Sequence, residues 1–279
     1  MTTSGWRGDL HLRYHRRGDR TVAFDAHSGP LRVLKPLYPE GEGVCHHVLV
    51  HPPGGVVGGD ELHVRVDATA GSHALLTTPG ATRFYRSEGA LALQHTRLHV
   101  AEGARLEWLP METIAYSGCL AANRVTAELA PGGEMMGWDV LALGLAAAGL
   151  PFKAGVFSQQ LELPGQWLER GRIAATDHTL LHGPVGWAGY TVSATLWFAT
   201  GAALPPLRRT ALVDAARALL QDHELASTAG ATAPQPSVVV LRVLAGRVEP
   251  VMQLLAAVRA AWRQLAWDLA AEPPRVWRT

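Results

Sequence analysis

The stretch DATAGSHALL, residues 67–76, returns twice in altered form, as HVAEGARLEW (99–108) and ELAPGGEMMG (128–137). Each copy closes one strand, steps through small or polar residues to a glycine, and opens another strand. The turn glycines Gly71, Gly103 and Gly132 lie 32 and 29 residues apart. Strand-turn-strand units recurring at that period predict stacked layers, either a β-solenoid or a wound two-sheet structure. Three imperfect copies are also compatible with ordinary hairpins; we favour the layers.

The neighbouring sequence supports strands. Leu62, Val64 and Val66 alternate with His63, Arg65 and Asp67, and Leu106 and Trp108 alternate with Arg105 and Glu107. This period of two marks half-buried strands, and Gly-containing turns at regular spacing point to a mainly β architecture. The C-terminal part changes character. Residues 208–223 place Leu212, Val213, Ala216, Leu219 and Leu220 on one helical stripe. ASTAGATAPQPS (226–237) reads as a flexible connector, followed by one strand, SVVVLRVL. From Glu249, with Pro250 near the first helical position, a second helix carries Val251, Leu254, Leu255, Val258, Trp262 and Leu265. The expectation is a β-rich superhelical body over 1–205. Residues 206–279, helices plus one strand, pack on it as one structural unit.

Hydrophobic residues make up 48% of the 279, enough for a sizeable core, while charged residues are 18%, against about a quarter in an average soluble domain. The net charge is +1 and the arginines are scattered without a basic stripe, which argues against a nucleic-acid partner. The N-terminus has no apolar core of a secretory signal. Residues 179–207 lack Asp, Glu, Lys and Arg, but His182, Pro184, four glycines, Pro205 and Pro206 exclude one continuous membrane helix. Two cysteines, Cys45 and Cys119, make no disulfide framework and fit a reducing cytoplasm.

HPPGGVVGGD (51–60) invites comparison with a phosphate loop. A Walker loop needs a lysine and a hydroxyl residue after its last glycine, and here Asp60 would repel phosphate, so the segment reads as a tight corner. VCHHVLVH (44–51) raises metal binding. On a strand His46 and His47 point to opposite faces, and His47 and His51 stand about 13 Å apart, too far for one ion. Cys45 and His47 share a face and could supply a partial metal site, or be polar residues on a strand near a surface. No G-x-S-x-G, H-E-x-x-H or C-x-x-C occurs. Asp60, Glu112, Asp139 and Glu169 stand isolated, as internal acids with a task or as turn acceptors. No catalytic constellation emerges.

HPPGGVVGGD, ALLTTPGATRFYRS (74–87) and EWLPMETIAYSG (107–118), then WLER (167–170), GWAGYTVSATL (186–196) and the terminal PRVWRT, resemble in order and spacing the motifs of the urease accessory protein UreD family, called UreH in some organisms. The similarity runs from about Gly41 to the end. It implies a mainly β fold wound as a two-sheet superhelix, solenoid-like, with C-terminal α-helices. It also implies a cytoplasmic, non-enzymatic scaffold that joins the helical accessory protein UreF and the GTPase UreG and docks on apo-urease. Nickel is then in transit through an internal passage, with no tightly bound cofactor and with GTP hydrolysis in the partner. A conduit suits spaced oxygen donors that hold a partly hydrated ion briefly. On polarity within the matching motifs, the candidate lining residues are Asp60, Thr77, Thr78, Glu112, Asp139 and Glu169. Arg83 and Tyr85 share a strand face, as interface anchors or as a cation over a ring. One competing class is a metallochaperone storing nickel on surface histidines such as His46 and His47. Another is a carbohydrate-active solenoid enzyme, which needs paired carboxylates in a cleft. The chain departs from the family's pattern at 144–150, where a polar run in many members is replaced by GLAAAGL.

Overall fold

The computed structural model describes residues 5–278, so the first four residues of the expected β-rich body and Thr279 lie outside it. Strand β1 (Arg7–Arg17) turns back on β2 (Arg20–Ser28), and the chain then crosses to a second sheet with the short β3 (Arg32–Val33), which pairs antiparallel with β4 (Val44–Val50). It then winds. β5 (Glu61–Ala68) joins the first sheet, β6 (His73–Thr77) the second, and β7 (Thr82–Phe84) leads back. β8 (Ala92–Val100), β9 (Arg105–Leu109) and β10 (Thr113–Ala115) repeat the circuit, followed by β11 (Cys119–Leu129) and β12 (Glu134–Leu145). After β13 (Leu150–Pro151), β14 (Gly155–Leu163) and β15 (Trp167–Ala174) close the first sheet as a hairpin. The short α1 (His178–His182), β16 (Val192–Thr200), α2 (Pro206–Leu220), β17 (Ala229–Gln235), β18 (Val238–Ala245) and α3 (Val248–Trp267) complete the chain.

The chain is therefore mainly β, a solenoid of about four turns with C-terminal helices. One sheet has seven strands in the order β15-β14-β11-β8-β5-β1-β2; the main path of the other is β17-β18-β16-β12-β9-β6-β4-β3. Parallel neighbours need a crossover, and here each crossover is a strand of the opposite sheet. The sequence repeat is this winding. His73 pairs with Arg105 and Arg105 with Glu134, in steps of 32 and 29 residues. The turn glycines stack, with the Gly103 amide donating to the Gly132 carbonyl at 3.0 Å. All three take the left-handed φ that favours glycine.

Two cores follow. Inward residues of both sheets, among them Leu12, Tyr14, Leu76, Leu106 and Phe157, fill the solenoid. The other face of the second sheet packs Met136, Trp138 and Leu196 against Leu212 and Leu255 of α2 and α3. The segment expected as a flexible connector is instead largely strand β17, paired antiparallel with β18. Its Gly, Ala and Pro content suggested a linker, but a neighbouring edge satisfies its backbone. Leu219 and Leu265, expected on the helical stripes, are exposed, whereas Arg259 and Arg263 are buried. Among the described residues no helix is long and apolar enough to cross a membrane.

Candidate functional site

The inner faces of the two sheets are mostly apolar, and apart from isolated groups such as His47 and Thr96 their polar residues gather along one seam. On the seven-stranded sheet Gln94, Asn123 and Gln159 occupy matching positions of β8, β11 and β14. On the facing sheet Asp139, Thr195 and Arg242 are matched across β12, β16 and β18. The strand registers alone therefore bring together residues from far apart in sequence. Gln94 Nε2 donates to Asn123 Oδ1 at 3.4 Å, and Asn123 Nδ2 to Asp139 Oδ1 at 3.1 Å. Gln159 Nε2 bonds the other Asp139 oxygen. Glu169 of β15 accepts Thr195 Oγ1 on one oxygen and Arg242 Nε on the other, both at 2.7 Å.

One end of the seam meets a cavity of about 230 Å³, lined by Gln94 together with His51, Thr78, Arg83 and Trp108. The other end reaches solvent, where the Arg242 side chain is 47% exposed and that of Glu169 32%. Between them Asp139 is buried. Burial in the first place, and the nearby Glu169 charge in the second, push its carboxyl up to about 7. At neutral pH this group sits at the balance between holding and releasing a proton. The donors are oxygens spaced along a line, and among the described residues no group of three or more His, Cys, Asp or Glu could hold a metal ion. Such an arrangement offers a hard cation separate oxygen ligands rather than a cage.

Of the six residues expected along a passage, Asp139 and Glu169 lie in the seam. Thr78 is at the cavity rim, its hydroxyl accepting the Met111 amide and donating to the Gly80 carbonyl, both at 2.9 Å. Thr77 points to the opposite face of its sheet, where its hydroxyl accepts Trp277 Nε1 at 2.8 Å. Glu112 is half-buried in the turn between β9 and β10, and its carbonyl accepts the Thr82 amide. Asp60 is a turn acceptor, taking the Trp6 amide at 2.8 Å and the Val57 amide at 3.0 Å.

HPPGGVVGGD is thus a corner held by its own aspartate. Gly59 has φ +94°, and a Cβ on Gly55 would stand 2.1 Å from the Tyr85 ring. The corner seats that ring 4.9 Å from Tyr116, while Arg83 is exposed at the cavity rim.

Cys45, His46 and His47 are buried, so the reading that places them near a surface, and with it nickel storage on surface histidines 46 and 47, is corrected. Cys45 and His47 face the solenoid core. Burial raises the Cys45 thiol to about 11 and lowers His47 to about 4, and His47 Nδ1 meets the Tyr14 hydroxyl at 2.8 Å. His46 faces the other way and bonds Glu40 at 2.6 Å.

That other face holds a charge cluster which strand alternation alone misses. Glu107 is fully buried, with Arg259 Nε at 2.6 Å, Arg263 Nη1 at 2.9 Å and His73 Nε2 at 3.1 Å. Arg263 also bonds Glu40. The available signal is two arginines one helical turn apart, flanking Trp262 in an otherwise apolar stripe.

A family model described as "UreD urease accessory protein" matches residues 7–278. Proteins called "Urease accessory protein UreD" are similar along their whole length. The one from Leptothrix cholodnii is 61% identical over 98% of this chain and 99% of its own. Those from Verminephrobacter eiseniae and Variovorax paradoxus are 58% and 56% identical, each over 98% of this chain and 99% of theirs.

Proposed function

The chain belongs to the UreD family of urease accessory proteins, and on that premise we propose that it is a non-enzymatic scaffold for nickel delivery. It joins the helical partner UreF and the GTPase UreG, docks on apo-urease in the cytoplasm, and passes nickel to the urease active site through its interior. The observation that carries the passage is the seam, a line of oxygen and amide donors running from a cavity past Asp139 to the surface at Glu169 and Arg242. Nickel is cargo here. Isolated carboxylates attract the ion, the amides offer weak oxygen ligands, and no site binds it so well that it stays. Asp139 gives up its proton as the cation arrives and regains it as the cation leaves.

The test is the nickel content of urease purified from cells that carry Asp139→Asn or Glu169→Gln under limiting nickel, read beside co-purification of the accessory complex. The expected result is nickel-poor urease, reduced severalfold, with the complex intact. Unchanged nickel content removes the seam from the route. Loss of the complex assigns the residues to assembly instead.

A further inference from the structure

The outer face of the seven-stranded sheet carries a charge pattern that the fold creates. Each turn of the solenoid sets residues about thirty positions apart side by side. Arg65 lies beside Arg97, and His63 beside His95, across β5 and β8. His95 lies beside Arg124 across β8 and β11. Like charges opposite each other on adjacent strands destabilise a sheet, so the Arg65–Arg97 neighbours cost stability unless something of opposite charge covers them.

The carboxylates on this face already have partners. Asp9 pairs with Arg7 at 3.0 Å, Glu61 with His63 at 3.3 Å and Glu128 with His99 at 3.6 Å, and Glu162 accepts the Gln160 amide at 2.7 Å. Asp67 meets His11 at 2.5 Å, His99 at 2.8 Å and Arg65 at 3.1 Å. Arg97 and Arg124 are exposed and make no ion pair among the described residues. Beside them β1, β2, β5 and β8 curve round a hollow of about 570 Å³, whose lining includes Arg97, His95, His63, Arg65 and His11. The whole chain has a net charge of only +1, so the excess of cations is local to this face.

We propose that this hollow, with the adjoining Arg124, docks a carboxylate-rich segment of a partner protein. A metal cation is excluded by the guanidinium groups that border the histidines. A nucleic-acid backbone carries a negative charge at every step, and the interleaved Asp9, Glu61 and Asp67 would oppose it at several positions. A polypeptide with spaced acidic side chains can meet Arg97 and Arg124 and place neutral residues over those carboxylates. Charge complementarity of this kind sets orientation and association rate more than bulk affinity, which suits a surface used in ordered assembly. The proposal concerns the outside of the sheet and stands independently of the interior passage.

The test uses a labelled peptide in which single glutamates alternate with neutral residues, followed by fluorescence anisotropy at low and at physiological ionic strength, on the whole protein. Wild type should bind with an affinity that falls as salt rises. The pair Arg97→Glu and Arg124→Glu should weaken binding about tenfold or more. The pair Lys35→Glu and Arg247→Glu, which changes net charge equally on exposed residues elsewhere, should leave it within a factor of about two. Reversing Arg97 also relieves its repulsion with Arg65, so the thermal midpoint should not fall. The milder pair Arg97→Gln and Arg124→Gln should give an intermediate loss. Absence of binding by wild type overturns the proposal, as does an equal loss in the Lys35 and Arg247 control. Duplex DNA that binds more tightly than the peptide, with the same sensitivity to Arg97 and Arg124, overturns the protein partner in favour of a polyanion site.

Discussion

Asp139 is a carboxyl in a place where ionisation is costly, and that makes its contribution to stability measurable apart from the nickel route proposed for it. An unfolded aspartate loses its proton near 3.8, whereas the folded chain holds this one to about 7. The fold therefore binds the proton more tightly, and stability from this group is complete below about pH 4 and is lost as pH rises towards 7. Asp139→Asn mimics the protonated form and removes that loss. In urea denaturation the variant should match the parent near pH 4 and exceed it at pH 8, by at most about 4 kcal/mol. A variant less stable at pH 8 would mean that Asn123 and Gln159 require an ionised acceptor. Asp139 itself stood out in the sequence only as an isolated acid after Trp138. Its amide partners were not, because Gln94, Asn123 and Gln159 are ordinary polar residues until strand registry aligns them. Glu107 failed for a different reason: alternation placed it on the opposite face from Leu106 and Trp108, and that face is covered by a helix some 150 residues further on.

Among the elements, β12 carries the most constraints. It pairs with β9 on one side and β16 on the other, and its two faces belong to the two cores. Gly137 lies where the inward face meets the Trp197 indole, and a Cβ there would stand 2.2 Å from that buried ring. Gly137→Ala must displace the indole or bend the strand, at a cost of about 1–3 kcal/mol, seen as a lower thermal midpoint with an unchanged far-UV spectrum. A neutral result would mean that the strand gives way without cost. The winding was readable at this scale because each turn leaves a glycine at the same point, and those glycines stack. Strand β17 was not, since its residues resemble a linker and its backbone partners on β18 are set by tertiary pairing. The helical stripes were readable as amphipathic patterns, yet the arginines inside one of them gain their meaning only from the carboxylate they meet.

At the scale of the molecule, Glu107 ties the helical layer to the solenoid. Glu40, His73 and Glu107 come from three successive stages of the winding, and Arg259 and Arg263 of α3 close the cluster from above. Burial alone would raise the Glu107 carboxyl, but Arg259, His73 and Arg263 together hold it well below the usual range; Glu40 is also lowered. For a depressed carboxylate the sign is opposite to that of Asp139: its stabilisation is present above the unfolded value of 4.5 and drains away as pH falls below it. Acidification below about pH 4 should therefore loosen the layer of α2 and α3 before the strands, which hydrogen exchange can resolve element by element. At pH 7, Glu107→Gln leaves buried Arg259 without a counter-charge and Arg263 with Glu40 alone, and should cost about 3–5 kcal/mol. Replacing Glu107, Arg259 and Arg263 together with apolar residues of similar volume should recover most of that loss, because a buried ion cluster contributes little beyond the penalty of breaking it. If the triple variant is no more stable than Glu107→Gln, the cluster fixes the seating of α3 on the sheet in a way that apolar packing cannot replace. Strands and helices losing protection together in acid would instead make the two layers a single cooperative unit.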